Sequence, residues 1–281
     1  MPRQPDERSP KGSHMSDLNT PAVTYDVSDG IATITFNRPD GMNSLTLETK
    51  IALRDAMHAA AADSEARCVV LTGAGRAFCV GQDLKEHVAG LKGDSTEPLS
   101  DTVAEHYNPT VTAIASMPKP VIAALNGVAA GAGASLAFAS DFRILKDTAS
   151  FNLAFAGIAL SCDTGISWTL PRLIGMGKAT ELLHFPRTIP ADEALALGLA
   201  TTIAPADEFE ATVAALARKL ADGPTLAFAS IKRSLAFSAS HDLPASLEQE
   251  ARKMALTGAS SDHLAAVEAF LAKEKPRFEG R

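Results

Sequence analysis

The sequence predicts an α/β fold with a parallel sheet in its first part and a helical region in its last part. Short apolar runs that look like strands alternate with longer segments of helical periodicity, which is typical of parallel strands joined by crossover helices. After about Phe151 the pattern becomes mostly helical. A hydrophobic content of 46% with only 5% aromatic residues indicates a core built mainly from Ala, Leu, Val and Ile.

The first part of the chain begins with a predicted β-hairpin over residues 23–36. Apolar and polar residues alternate on both sides of Asp29-Gly30, a pair that strongly favours a tight turn between strands. The elements predicted next are a helix over 46–62, a strand over 67–72, a mobile loop over 90–100, a helix over 103–117, a strand over 121–125, a helix over 131–140 and a strand over 142–145. The helices predicted in the last part cover 165–173, 177–183, 191–197, 208–221, 225–237, 243–256 and 261–271.

Composition and charge exclude several classes of function. The formal net charge of −7 argues against nucleic acid as a partner, because proteins that bind it usually display a basic face. The three cysteines, Cys68, Cys79 and Cys162, have neither the spacing of a disulfide framework nor that of a metal site. We therefore expect no bound metal and a cytoplasmic location, with Cys68 and Cys79 as buried thiols.

Two segments need a separate interpretation. Residues 1–14 are polar, lack the apolar stretch of a secretory signal and run into Gly12-Ser13-His14-Met15, which is typical of an expression-vector remnant, so we predict a disordered tag there. Residues 120–140 carry no charge and are long enough to raise the question of a membrane span. They contain Pro120, Asn126 and three glycines, which favours a buried strand, turn and helix and no contact with a membrane.

Two glycine-rich turns are the most informative feature of the chain. They read AFCVGQDL over residues 77–84 and NGVAAGAGA over residues 126–134, and each follows an apolar strand and precedes a helix. Glycine permits backbone angles that other residues resist and lets a ligand approach the main chain. Taken alone, each turn is a plain connection between a strand and a helix. Together they can direct two backbone N–H groups at one point, as an oxyanion hole for a thioester requires.

The amino-acid sequences of these turns resemble those of the enoyl-CoA hydratase/isomerase (crotonase) family. The similar phrases are AFCVGQDLKE, MPKPVIAALNGVAAGAGASLAFASD, LPRLIGMGKATELL and IPADEALALGLA, and the resemblance extends over residues 23–278. It implies a spiral of ββα units over 15–205, a helical oligomerisation region over 206–281, and a homotrimer or a dimer of trimers. Within the family, GQDL, YNP and NGVAAGAGAS are most similar to the 1,2-epoxyphenylacetyl-CoA isomerase branch.

The resemblance also implies an acyl-CoA substrate and the residues that bind it. The oxyanion donors would be the N–H groups of Gln82 and Ala132, and no cofactor is expected because coenzyme A is part of the substrate. The other residues implied in substrate binding are Gly81, Asp83, Leu84, Gly131 and Gly133 in the turns, Arg38, Met42 and Ser44 at the adenine and pantetheine, Tyr107 at the acyl group, and Phe270 and Lys273, which reach a neighbouring subunit's coenzyme A. Asp83, in the same turn, is expected to order it by accepting local N–H bonds.

The acid/base residues differ from those of the family's hydratases. Hydratases of the family use two glutamates, whereas this chain carries Ser135 and Phe155 at the matching positions. Addition of water needs one group to activate the water and another to deliver a proton. One carboxylate, that of Asp163, remains nearby in the sequence. It occupies the position where the isomerase branch and a chlorobenzoyl-CoA dehalogenase carry an aspartate. It could cap the helix that starts near Gly165, or lie among Phe151, Phe155, Leu160 and Trp168 in a dry pocket that raises its pKa.

Three functions stay open at this point. The first is an acyl-CoA isomerase that shifts a double bond or rearranges a ring epoxide with Asp163 as its single acid/base. The second is a hydratase-like lyase, a hydrolase or a dehalogenase on the same scaffold. The third is an oligomer that binds acyl-CoA without catalysis. The sequence leaves the acyl group open, because the expected pocket wall lies in the variable segment 86–107.

Overall fold

The structure is a computed structural model that describes residues 20–92 and 101–281. The tag predicted over 1–14 and most of the loop predicted over 90–100 lie outside the described residues.

The strands form a large and a small sheet. Their bounds are β1 Val23–Ser28, β2 Ile31–Phe36, β3 Cys68–Gly73, β4 Ala77–Cys79, β5 Val121–Leu125, β6 Val128–Ala130, β7 Phe142–Lys146, β8 Ser150–Asn152, β9 Thr188–Pro190 and β10 Thr202–Ala204. The large sheet has the order β1-β2-β3-β5-β7-β10, and the small sheet has the order β4-β6-β8-β9. The hairpin β1–β2 is antiparallel, as predicted, and the remaining pairs of the large sheet are parallel. The predicted parallel α/β core is confirmed.

The helices connect these strands and then form the last part of the chain. Their bounds are α1 Leu47–Ala62, α2 Leu84–Leu91, α3 Asn108–Ser116, α4 Ala132–Ala139, α5 Ile166–Ile174, α6 Met176–His184, α7 Ala191–Leu197, α8 Phe209–Ala221, α9 Thr225–Ser238, α10 Leu243–Gly258 and α11 Ser261–Ala272. The pairs β3/β4, β5/β6 and β7/β8 each give one strand to the large sheet and one to the small sheet. A helix follows each pair, so the spiral of ββα units is confirmed.

The helix predicted over 103–117 differs from the structure in its first part. Residues Thr102–Tyr107 form a π-helical turn, in which the N–H of Asn108 donates to the carbonyl of Val103 five residues earlier. The ordinary helix α3 begins only at Asn108, with Pro109 in its first turn, where the missing N–H of proline is tolerated. The π-helical turn matters for the site because it carries Tyr107.

The middle strands β3 and β5 of the large sheet are covered on both faces. Side chains alternate along β3, so that Val69 and Leu71 enter the main core while Cys68 and Val70 enter a second core under α8. Strands covered on both sides read as continuous apolar runs, which explains why β3 and β5 are easy to predict. Burial raises the pKa of the Cys68 and Cys79 thiols to about 12, and both are buried as expected.

The helices α9 to α11 are fixed to the rest of the chain by polar contacts and leave much apolar surface uncovered. Arg67 donates to the carbonyls of Gly223 and Phe278 at 2.6 and 2.8 Å, and Lys232 donates to Asp141 at 2.8 Å. Exposed apolar side chains on these helices include Ile231, Leu235, Leu243, Leu247, Met254, Leu264, Phe270 and Leu271. The boundary at residue 206 and the role of this region in oligomerisation stay predictions.

Candidate active site

The two glycine-rich turns contact each other through their main chains. Gly81 has φ +82°, and a Cβ there would lie 2.8 Å from the carbonyl oxygen of Ala130 and 3.3 Å from the nitrogen of Ala132. A Cβ on Gly133 would lie 2.2 Å from the carbonyl oxygen of Cys79. Only glycine allows two backbones to come so close. Gly81 and Gly133 therefore allow the β4–α2 turn to lie beside the start of α4.

Gly131 has a different role in the second turn. Its backbone, with φ 51° and ψ −125°, lies outside the conformations that residues with a side chain adopt readily. A Cβ there would meet nothing within 4 Å, so this glycine faces open space beside the turn. Its N–H donates to the carbonyl of Asn152 at 3.0 Å, which ties the turn to β8.

The N–H groups of Gln82 and Ala132 have no acceptor among residues 20–92 and 101–281. Around Gln82, the Leu45 N–H donates to Gly81 O at 2.8 Å and the Asp83 N–H donates to Leu45 O at 3.1 Å, which leaves the Gln82 N–H between them unused. Ala132 is the first residue of α4, where an N–H has no partner within the helix. The two predicted oxyanion donors are therefore both available to a ligand.

The Gln82 side chain makes a separate contact. The hydroxyl of Tyr107 donates to Gln82 Oε1 at 2.5 Å, and Tyr107 itself is buried. The sequence predicts both residues at the site but carries no signal for this bond, which joins residues of different elements.

Asp83 orders the first turn, as predicted. Its carboxylate accepts from the N–H groups of Lys85 and Glu86 at 3.0 and 3.3 Å and caps α2. Burial by itself raises the pKa of Asp83, but the hydrogen bonds from Ser44 and from these N–H groups, with the nearby Arg38, hold it below its ordinary value. Leu84, the next residue, is exposed.

Arg38 and Ser44 lie together beside Asp83. The Ser44 hydroxyl donates to Asp83 Oδ2 at 2.7 Å, and Arg38 Nη1 donates to Ser44 O at 2.7 Å. Met42 is half-buried and has φ 51°. Asn43, which sequence analysis missed, is buried and donates to the carbonyls of Ala74 and Ala77 at 3.0 and 2.8 Å. These bonds fix the loop that precedes α1 against the first glycine-rich turn.

Asp163 lies just before α5, and its interpretation as a helix cap is wrong. The residue at the N-cap is Gly165, and no side chain caps this helix. The Asp163 carboxylate instead accepts from its neighbour, Thr164 Oγ1, at 2.8 Å. Burial raises the pKa of Asp163 above its ordinary value, and the hydrogen bond from Thr164 partly opposes this shift. The helix that Asp163 precedes packs against α4, which begins at Ala132.

Two of the four residues predicted to form a dry pocket around Asp163 do not fit that role. Phe151 and Phe155 are buried, whereas Leu160 and Trp168 are exposed. Trp168 packs under the guanidinium of Arg172, whose carbon lies 4.0 Å from the ring centre, so it does not form a wall of a dry pocket.

The two positions that carry glutamate in the family's hydratases contain no acid in this chain. Ser135 is fully buried in α4, and its hydroxyl donates to Gly131 O at 3.2 Å. Phe155 is buried as well.

The remaining predicted residues lie on the surface of the last helix. Phe270 is 81% exposed, and Lys273 follows at the end of α11 with no hydrogen bond or ion pair of its side chain within the described residues. Among these same residues, no three His, Cys, Asp or Glu side chains group together as a metal site would require. None of the described helices is long and apolar enough to cross a membrane.

Comparison with known proteins agrees with this arrangement of turns and helices. A sequence model of the family described as enoyl-CoA hydratase/isomerase matches residues 26–281. A "Probable enoyl-CoA hydratase" of Rhodobacter capsulatus is 44% identical over 92% of this chain and 98% of its own length. The 1,2-epoxyphenylacetyl-CoA isomerase of Escherichia coli is 38% identical over 91% of this chain and 97% of its own length. A solved structure of an enoyl-CoA hydratase from Bacillus anthracis has a TM-score of 0.86 at 32% identity, over 92% of this chain and 100% of that one.

Proposed function

The chain belongs to the enoyl-CoA hydratase/isomerase family, and we propose that it is an acyl-CoA isomerase that uses Asp163 as its single acid/base. The reaction is the shift of a double bond in the acyl chain or the rearrangement of a ring epoxide on phenylacetyl-CoA. The observation that supports this most is the pairing of two unused N–H donors with one partly buried carboxylate of raised pKa.

The first step is binding of the thioester oxygen at the two N–H donors, which stabilise the enolate once a proton is removed. The thioester oxygen would accept from Gln82 N–H and Ala132 N–H, and the start of α4 adds the positive end of a helix dipole. The protons on the α and γ carbons are acidic because this oxygen takes up the negative charge that remains when one of them is removed. Preformed N–H donors stabilise the charge because they do not need to reorganise as it develops.

Asp163 would then move one proton. In the double-bond shift, its carboxylate takes a proton from one carbon, the electrons delocalise into the enolate, and the same proton returns to another carbon. No water enters and no group leaves, so one carboxylate is sufficient. The burial that raises its pKa brings the group closer to the range of a working base near neutral pH.

The positions of Ser135 and Phe155 favour isomerisation over hydration. A hydratase needs a second group beside the first to position water and supply a proton, and a buried hydroxyl and a phenyl ring do neither well. The Rhodobacter capsulatus relative, whose name is that of a hydratase, is the observation that favours the second candidate. The product formed from an unsaturated acyl-CoA distinguishes an isomerase from a hydratase.

Coenzyme A is recognised in this proposal as part of the substrate, with no further cofactor. Arg38, Met42 and Ser44 line the adenine and pantetheine, Tyr107 contacts the acyl group, and Phe270 and Lys273 of one protomer close the site of a neighbour. The exposed apolar side chains of α9 to α11 support a trimer or a dimer of trimers, because such surface is usually covered in an assembly.

The experiment that tests the proposal is product identification with a panel of thioesters. The purified protein is incubated with 3-enoyl-CoA, 2-enoyl-CoA and the ring epoxide of phenylacetyl-CoA, and products are identified by mass spectrometry and NMR. We expect products of unchanged mass with a moved double bond or a rearranged ring. Products heavier by one water would favour a hydratase, free coenzyme A would favour a hydrolase, and binding without any product would favour a non-catalytic acyl-CoA-binding protein.

A further inference from the structure

The hydrogen bond from Tyr107 joins the π-helical turn to the side chain of Gln82, whose N–H is one of the proposed oxyanion donors. We propose that Tyr107 is a positioning residue that holds the Gln82 N–H in the direction needed for a thioester oxygen. This inference rests on the proposed function, because it assigns the bond a role in the oxyanion hole. The O–H···O distance is 2.5 Å, and Tyr107 is 3% exposed while Gln82 is half-buried, so the bond is short and partly buried.

The Gln82 N–H follows a glycine, and contacts of both the main chain and the side chain restrain it. Gly81 has φ +82° and no side chain, so the peptide between Gly81 and Gln82 has little local stiffness. The bonds from Leu45 N–H to Gly81 O at 2.8 Å and from Asp83 N–H to Leu45 O at 3.1 Å hold the main chain on both sides of Gln82. The bond from Tyr107 adds a contact on the Gln82 side chain, which these main-chain bonds do not restrain.

Tyr107 is itself held on both sides of the π-helical turn that carries it. At the start of the turn, Lys50 Nζ donates to Thr102 Oγ1 at 3.0 Å, and just after it Thr110 Oγ1 donates to His106 O at 2.6 Å. Lys50, Thr102 and Thr110 are all buried. A π-helical turn inserts one residue relative to an α-helix and is often found at functional sites. Here the π-helical turn sets the direction, around the helix axis, in which the Tyr107 side chain points.

The test compares Tyr107→Phe with Tyr25→Phe, a matched control. The chain contains two tyrosines, and each hydroxyl donates to a side-chain oxygen, since Tyr25 donates to Asp63 at 2.8 Å far along the chain. Both variants lose a hydroxyl and with it the hydrogen bond that it donates to a side-chain oxygen. A third variant, Gln82→Leu, removes the acceptor of the Tyr107 bond and keeps the Gln82 N–H, so that the inference stays testable if Tyr107→Phe folds poorly.

The main measurement is the absorbance of a bound conjugated thioester, cinnamoyl-CoA. Hydrogen bonds to its carbonyl oxygen draw electrons toward that oxygen and move the absorption to longer wavelength, whether or not the enzyme turns the ligand over. We expect a clear shift with the unmodified protein and with Tyr25→Phe, and a smaller shift with Tyr107→Phe and Gln82→Leu. The kcat for isomerisation should fall about tenfold in the last two, with the Kd for free coenzyme A unchanged.

The combination Tyr107→Phe/Gln82→Leu should be no worse than either single change, because both remove the same bond. If Tyr107→Phe and Gln82→Leu leave the absorbance shift and kcat as in the unmodified protein, the inference is wrong and the proposed function stands. If the unmodified protein itself produces no absorbance shift, the oxyanion hole fails and the proposed function fails with it.

Discussion

Thr164 donates a 2.8 Å hydrogen bond to Asp163 from a backbone conformation that a β-branched residue rarely adopts. Thr164 has φ 52° and is buried, and Gly165 after it has φ 75°. A β-branched residue in the left-handed region costs free energy and persists where the surrounding structure enforces it, often beside an active site. The strained turn sets the direction of the Asp163 carboxylate and provides its hydrogen-bond donor.

The raised pKa of Asp163 predicts an unusual pH dependence of activity. The base must be ionised to accept a proton, so kcat/KM should fall as pH drops through a pKa above the ordinary range of aspartate. The bond from Thr164 favours the charged carboxylate, so Thr164→Val should raise this pKa and move the acidic limb to higher pH. Valine is also β-branched, so the backbone strain is matched. The measurement is kcat/KM against pH.

Thr169→Val is the control for that profile. Thr169 is also buried and donates to a backbone carbonyl, that of Gly165, at 3.2 Å, without touching the Asp163 carboxylate. The acidic limb of the kcat/KM profile of Thr169→Val should coincide with that of the unmodified protein. An unchanged limb in Thr164→Val as well would show that the hydrogen bond does not tune the base.

The close contact of the two turns predicts a large effect of Gly81→Ala. The added methyl would lie 2.8 Å from Ala130 O and must push the turns apart, which displaces the Ala132 N–H from the Gln82 N–H. We expect kcat to fall about 100-fold, the scale of losing one oxyanion donor. Gly177→Ala is the control, because a methyl there meets nothing within 4 Å. Equal kcat values in the two variants, both folded by circular dichroism, would exclude the proposed hole.

Hydration should be weak because both glutamate positions lack an acid. With crotonyl-CoA as substrate, we expect addition of water at least about 100-fold slower than isomerisation of a 3-enoyl-CoA, since a missing acid/base group typically costs that much. Loss of the conjugated absorbance of crotonyl-CoA measures the rate. Hydration as fast as isomerisation would mean that another group positions water.

The exposed apolar surface of the last helices predicts an assembly in solution. Light scattering should give the mass of a trimer or of a dimer of trimers, and a monomer would show that this surface is covered in another way. Lys273→Ala should weaken coenzyme A binding about fivefold at low salt and less at high salt, because Lys273 would meet a phosphate as a screened charge. Lys275→Ala, an exposed lysine two residues further along, should leave binding unchanged at both salt concentrations.

The elements that the sequence predicts well are those with a long pattern and a clear end. The strand over 121–125 and the helix over 191–197 match β5 and α7 residue for residue, since a buried run or a helical period is bounded there by proline or glycine. The strands β4, β6 and β8 have three residues each, too few for a period, and their pairing joins distant residues such as Ala77 and Val128.

The site is predicted less completely than the fold. The glycines that let the turns meet are visible in the sequence, because few other residues permit such backbone contact. The bond between Tyr107 and Gln82 and the cluster of Arg38, Ser44 and Asp83 depend on tertiary contacts across 25 and 39 positions, for which a single sequence carries no signal. The left-handed conformation of Thr164 has no signal either, since nothing in its residue type favours it.

The central claim is that Asp163 alone moves the proton, and Asp163→Asn tests it most directly. Asparagine keeps the shape of the side chain but cannot accept the proton. The measurement is the rate at which 3-enoyl-CoA becomes 2-enoyl-CoA, together with the Kd of a non-reacting acyl-CoA by calorimetry. We predict a loss of about 1000-fold in kcat with the Kd nearly unchanged. A variant that retains most of its turnover would show that Asp163 is not the acid/base of the mechanism.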